Sequence, residues 1–198
     1  MTKSGCKLPH SLYKLGRFTF KQAKDLGLSQ REVAKLTRTG VIEKISRGIY
    51  EVVARALDPA TRDFAVACIS LGESSVIGGL TALFHYGLAD EVPRKIWVLV
   101  PPSKYRVKKQ YRLIRTKMDL TAGIERYPDY RITSLERTII DTFIFSSKLG
   151  ERLAYRAALR AIREKRTTPD KLFKVAQTLG VSDKLALHAQ ALFGGLEA

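Results

Sequence analysis

The side chains best suited to chemistry in this sequence are cations set at helical spacing. Arg31, Lys35 and Arg38 stand at i, i+4 and i+7 within "SQREVAKLTRTG", with Gln30 just ahead of them. On a helix they share one side, and Val33 and Leu36 turn away from it. A few residues on, Lys44, Ser46 and Arg47 gather around "KISRG". Guanidinium and ammonium groups in such an array neutralise phosphates, and the same side chains reach base edges when a helix lies in a groove. The implied chemistry is recognition of a polyanion.

Two capped helices and a hairpin must position these groups. "TFKQAKDLG" pairs Thr19 with Gln22 and ends at Gly27, and "SQREVAKLTRTG" pairs Ser29 with Glu32 and ends at Gly40. Each pair has the spacing of a capping box, in which a hydroxyl accepts from an orphan N–H while the N3 side chain reaches back. So short a link makes the helices cross sharply, as in a helix-turn-helix, with Phe20, Ala23 and Leu26 expected against Val33 and Leu36. "VIEKI" and "IYEVV" then alternate as short strands around Ser46-Arg47-Gly48. A capped helix pair followed by a ribbon with a basic tip is a winged helix-turn-helix. Its second helix is expected in the major groove, with Gln30, Arg31, Lys35 and Arg38 toward bases or phosphates. Lys44, Ser46 and Arg47 would meet the neighbouring backbone or minor groove.

Charge supports that reading. Over 198 residues, 35 Lys and Arg against 19 Asp and Glu give +16, an excess that favours nucleic acid as partner. Residues 1–57 hold 12 of the basic and 4 of the acidic side chains, so half of the net charge sits in under a third of the chain. Only two cysteines occur, Cys6 and Cys68, without metal-ligand spacing, which suits a reduced cytoplasmic setting. The leader "MTKSGCKLPHSLYKLG" lacks the apolar core of a signal peptide, and no apolar run approaches transmembrane length. A cytoplasmic protein with no membrane partner is expected.

Asp58-Pro59 marks a boundary between domains 1–57 and 58–198. Beyond it, "ATRDFAVACISLG" and "SSVIGGLTALFHYGLAD" read as helices, the second with Gly78-Gly79 for close packing. "RKIWVLVPP" and "YRLIRTK" read as strands. Thr133 and Glu136 offer a third capping-box pair ahead of the apolar helix in "RITSLERTIIDTFIF", and three more helical stretches complete the chain. The expected fold is α+β: a winged helix-turn-helix, then a mixed α/β domain with a small sheet and a helical carboxy-terminal third.

The stretch "GRFTFKQAKDLGLSQREVAKLTRTGVIEKISRGIYEVV" resembles the amino-terminal winged helix of AbiEi-type antitoxins, found in bacterial abortive-infection toxin–antitoxin pairs. The pattern lies in Gly40-Val41-Ile42-Glu43-Lys44-Ile45 and Arg47-Gly48-Ile49-Tyr50. "SVIGGLTALFHYGLADEVPRKIWVLVP" and Arg137-Thr138-Ile139-Ile140-Asp141 resemble the family's second domain. The resemblance implies a repressor of its own operon acting on inverted repeats in promoter DNA, with room for cooperative self-association there. It also implies a second domain that counteracts a nucleotidyltransferase toxin, by contact or by opposing its effect. It implies no catalytic residues.

Two further basic clusters stand apart. Nine cations and no acid lie between Arg94 and Lys117, among them Arg106, Lys108, Lys109, Arg112 and Arg115. They suit either a protected sheet edge or a second phosphate-contacting surface. Arg152, Arg156, Arg160 and Arg163 line one helix face, where their mutual repulsion invites an anion or plain solvation. Constellations for catalysis, metal or cofactor are missing. His10, His85 and His188 lie far apart, with His85 placed at the core or its boundary, and Asp141 is expected to anchor a structural hydrogen bond. No phosphate-cradling glycine loop, Asp-x-Lys or Glu-x-Lys step is present. Two other readings share these residues: a stand-alone winged-helix regulator whose second domain senses a ligand or oligomerises, and a nucleic-acid-processing enzyme.

Overall fold

The structure, a computed structural model, describes residues 7–55, 58–104 and 109–193; Cys6, Arg106 and Lys108 lie outside them. Two units are distinguished, Met1–Ser70 with Tyr127–Tyr130, and Leu71–Arg126 with Arg131–Ala198. The Asp58-Pro59 turn falls inside the first.

In the first unit come α1 (His10–Leu15), β1 (Arg17–Thr19), α2 (Phe20–Asp25), α3 (Gln30–Arg38), β2 (Ile42–Ser46) and β3 (Ile49–Val52). A single 3-10 turn at Pro59–Thr61 leads into α4 (Arg62–Leu71). The strands form an antiparallel sheet in the order β1-β3-β2, so β1 adds to the ribbon a third strand that alternation alone did not reveal. This is a winged helix. Its core gathers Leu12, Phe18, Ala23, Leu28, Val33, Leu36, Ile42 and Val52. Leu26, expected in that core, is 45% exposed. The reason is local: α2 ends at Asp25, Leu26 is its C-cap, and Gly27 at φ 86 turns the chain so that Leu28 points inward instead.

Across the wing sheet, Arg17 stands opposite Glu51, and Glu51 opposite Glu43. Two glutamates facing each other on one sheet face repel. Arg62 from α4 bridges them, at 2.8 Å from Glu51 and 3.3 Å from Glu43. Arg17 is buried and meets Glu51 at 2.6 Å and Asp129 at 3.1 Å. It also donates to Thr61 Oγ1 and to the Asp58 carbonyl, each at 3.1 Å. Burial pushes the Glu51 carboxyl up, but its bonds to Arg62 and Arg17 outweigh this and leave it below the ordinary value. Asp129 is held above its ordinary value by burial, which outweighs the pull of Arg17 and Arg55. Tyr130 of the same 127–130 turn packs edge-on against Phe64.

The second unit holds β4 (Val76–Ile77), α5 (Gly79–His85), β5 (Ile96–Val100), β6 (Tyr111–Arg115), β7 (Ile124–Arg126) and β8 (Arg131–Thr133). Five helices follow: α6 (Leu135–Ile144), α7 (Ser146–Leu149), α8 (Glu151–Arg163), α9 (Pro169–Thr178) and α10 (Ser182–Phe193). The sheet order is β6-β5-β4-β8-β7, with β5–β6 and β4–β8 parallel and the other pairs antiparallel. Val76–Ile77 is therefore strand, and the helix expected from Ser74 onward starts only at Gly79. Glycines 78 and 79 do serve close packing: a Cβ on Gly78 would lie 2.0 Å from Leu99 Cδ1, and one on Gly79 2.8 Å from Trp97. The third cap also shifts. Thr133 belongs to β8 and its hydroxyl meets that of Thr138, while Ser134 caps α6 by accepting from Arg137 N–H. Glu136 instead accepts from the Thr167 hydroxyl. Ala154, Ala157, Ala158 and Ala161 give α8 a flat buried face beside Ile139, Ile140 and Phe143 of α6.

Within α6, Arg137 and Asp141 are both fully buried and 3.5 Å apart. Arg137 Nη1 donates to the carbonyls of Asp119 and Ala122, whereas neither Asp141 oxygen has a hydrogen-bond partner among the described residues. In place of the structural hydrogen bond expected of it, Asp141 has the Arg137 guanidinium 3.5 Å away. Burial pushes its carboxyl up to about 7, against the pull of Arg137.

Two outcomes follow for unfolding experiments on the whole chain. Arg17→Met leaves Asp129 without its hydrogen-bonded cation and Glu51 with Arg62 alone, and should lower the unfolding free energy by about 3 kcal/mol, read as a shifted urea midpoint. For Asp141 the folded pKa lies above that of the unfolded chain, so the native state keeps a proton that the unfolded chain has released. Its contribution to stability should fall as pH rises from about 4 to about 7 and then level off, a change on the order of 4 kcal/mol. Asp141→Asn should flatten that slope in midpoints measured from pH 4 to 7.5.

Candidate nucleic-acid interface

The cap of α3 sets the charge pattern of its outer face. Ser29 Oγ accepts from the Glu32 N–H, and Glu32 Oε2 accepts from the Ser29 N–H at 2.8 Å and hydroxyl at 2.7 Å. These bonds hold the Glu32 carboxyl below its ordinary range. The one acid of α3 is thereby folded back onto the helix start. Gln30, Arg31, Ala34, Lys35 and Arg38 are left as the exposed residues, while Val33 and Leu36 sit in the core. Thr37 turns its hydroxyl onto the Val33 carbonyl, and Gly40 at φ 72 ends the helix run.

The wing tip is equally determined by short-range chemistry. Ser46 pairs with Ile49, leaving Arg47 and Gly48 as a two-residue turn in which Gly48 adopts φ 72. A register shift between Lys44 and Ser46 bends β2 before the tip. The Gly48 carbonyl accepts from the Phe20 N–H at 2.9 Å, so the turn is tied to the first residue of α2. Since α2, α3, β2 and β3 share one core, the helix face and the wing tip hang on a single frame. Lys44 and Arg47 are exposed, and Ser46 is half-buried.

None of Arg31, Lys35, Arg38, Lys44 and Arg47 forms an ion pair with a described residue. Cations of the second unit are engaged differently. Lys104 donates to the Leu71 carbonyl, Arg115 to the Lys104 carbonyl at 3.0 Å, and Arg112 lies 4.5 Å over the Trp97 ring. Strand β6, which carries Arg112 and Arg115, is a sheet edge, where long cations also block pairing with another chain, and exposed Lys109 adjoins it. On α8, Asp90 sits 3.6 Å from Arg156 and 3.3 Å from Arg160, which also meets Glu164 at 2.9 Å. Arg156, Leu159, Arg160, Arg163 and Glu164 line a concavity of about 340 Å³, and Arg152 is exposed nearby on the same helix. For Arg156 and Arg160 the easing anions thus come from the chain itself.

The histidines are dispersed. His85 is exposed with its ring against Tyr86, not placed in the core, and His188 Nδ1 meets the Tyr155 hydroxyl at 2.8 Å. Among the described residues no group of three His, Cys, Asp or Glu side chains could hold a metal ion, and no helix is long and apolar enough to cross a membrane. Sequence reasoning overlooked two arginines that hold this interface in shape, Arg17 and Arg62. An arginine between the apolar Leu15 and Phe18, opposite a glutamate on another strand, was the available signal.

Residues 14–53 match the family model of AbiEi antitoxins, described as transcriptional regulators. The matched segment is the winged helix from the end of α1 to β3. A crystal structure of the RV2827C protein from Mycobacterium tuberculosis has a similar fold, with a TM-score of 0.50 at 12% identity over 98% of this chain and 84% of that one. No curated protein matches the sequence significantly.

Removing the cap of α3 tests whether this face is held as described. Ser29→Ala should cost about 1 kcal/mol of unfolding free energy, and Ser29→Gly only a few tenths. Denaturant midpoints of the two variants against the parent give the comparison.

Proposed function

We propose that this protein is the antitoxin of a toxin–antitoxin pair and represses its own operon by seating the winged helix on inverted repeats of promoter DNA. The toxin it counteracts is a nucleotidyltransferase. DNA binding is assigned to residues 1–57, and toxin opposition to residues 58–198. The observation that carries the reading is the set of five exposed, unpaired cations on α3 and the wing, all within the segment matched to the regulator family. A groove lined with phosphates would supply their counter-charges. Arg31, Lys35 and Arg38 face the groove from α3 with Gln30 beside them, while Lys44, Ser46 and Arg47 engage the adjoining backbone. The second unit carries no assigned catalytic step, and its arginines serve the sheet edge and the α8 surface.

Binding to a duplex of the protein's own upstream region, followed by fluorescence anisotropy over a salt series, tests this. Each of Arg31→Ala, Lys35→Ala and Arg47→Ala should weaken binding. The slope of log K against log salt should drop by about one unit for a cation that touches only phosphate. Cells carrying the neighbouring toxin gene should stay protected by all three variants. Unchanged affinity in both Arg31→Ala and Arg47→Ala would end the docking arrangement, and the lack of any adjacent nucleotidyltransferase gene would favour a stand-alone regulator.

A further inference from the structure

The exposed face of α3 has a low point. Of its five exposed residues, Gln30, Arg31, Lys35 and Arg38 are long and polar, and only Ala34 is small and apolar. Ala34 lies four residues after Gln30, three after Arg31 and four before Arg38, so it touches the same patch of helix surface as all three. A methyl group ringed by cations and an amide calls for a ligand that is anionic at its rim and apolar at one point. Duplex DNA has that composition in the major groove, where the thymine C5-methyl projects between flanking phosphates. We infer that Ala34 reads a thymine methyl, and that this contact makes DNA, not RNA, the target of the helix. The inference rests on the promoter-binding reading above and adds the residue that confers base choice.

Size and charge both bear on the assignment. With Glu32 drawn back to Ser29, no carboxylate of α3 opposes approach to the groove. The alanine lets the helix axis come close, whereas a longer side chain at this position would hold the backbone away from base edges. Uracil lacks the methyl, and the major groove of an A-form helix is too deep and narrow for α3 to enter. Covering one methyl group is worth about four-fold in affinity.

The test uses the full-length protein and duplexes of its own upstream region in which thymines are replaced one at a time by deoxyuridine. For the parent protein, at least one replacement should weaken binding about four-fold. Ala34→Gln, a good helix former at an exposed position, should bind more weakly and bring the thymine-to-uracil ratio at that position to about one. Because the ratio compares two duplexes with one protein preparation, partial misfolding of the variant does not alter it. If no replacement changes parental affinity, or if Ala34→Gln keeps the discrimination, the inference is wrong. Arg31→Ala separates the causes. Where Ala34 fails its test, weakened binding in that variant or in Arg47→Ala leaves promoter recognition standing and removes only the role of Ala34, while unchanged binding in both removes the docking arrangement as well.

Discussion

A guanidinium almost wholly removed from water is tolerable only when anions and carbonyls take over its hydration, and the winged helix is organised around one such group. Arg17 has five donors, and Glu51, Asp129, Thr61 and the Asp58 carbonyl take four bonds from it. Because Arg17 lies on β1 and Glu51 on β3, the bond between them fixes which residues of the two strands face each other. Arg62 then cancels the repulsion between Glu51 and Glu43, which sets β2 beside β3. The wing tip therefore has its position defined from beneath by charge and from the side by the Gly48–Phe20 backbone bond. Arginines inside the module shape it, and arginines outside it remain available.

The structural use of arginine recurs in the second unit. In the second unit several arginines act as structural donors: Arg131 to the carbonyls of Ser75 and Gly72, Arg137 to Asp119 and Ala122, Arg166 to Tyr86. On α3 and the wing the count and the availability agree, since none of the five cations there forms an ion pair with a described residue. Charge density alone pointed to the same third of the chain for a simpler reason, and the pairing pattern supplies the physical one.

What could be read from the sequence was governed by range. Capping boxes at Thr19–Gln22 and Ser29–Glu32 involve neighbours three residues apart, and both form as spacing predicts. The α3 face and the Arg47-Gly48 turn are equally local. Leu26 was misplaced because helix periodicity was carried one residue past the end of α2, where the backbone no longer follows it. At Ser134 the competing hydroxyl of Thr133 was one residue away, and only strand pairing between β7 and β8 decides between them. Strands of two or three residues, such as β4 and β8, have too few positions to show alternation. Asp141 looked like a hydrogen-bond anchor because nothing in a linear sequence shows that its surroundings are apolar.

The turn at Tyr127–Tyr130 lies far along the chain from the module it completes. Asp129 is 112 residues beyond Arg17. At translation speeds of about 5–20 residues per second, roughly 6–20 seconds separate the emergence of the two side chains from the ribosome. During that interval the nascent wing holds an arginine with one of its two carboxylates still unmade. Ribosome-bound chains shorter than residue 129 thus carry a winged helix whose electrostatic seat is unfinished, and assembly of the finished module is timed by synthesis of the second unit's sheet.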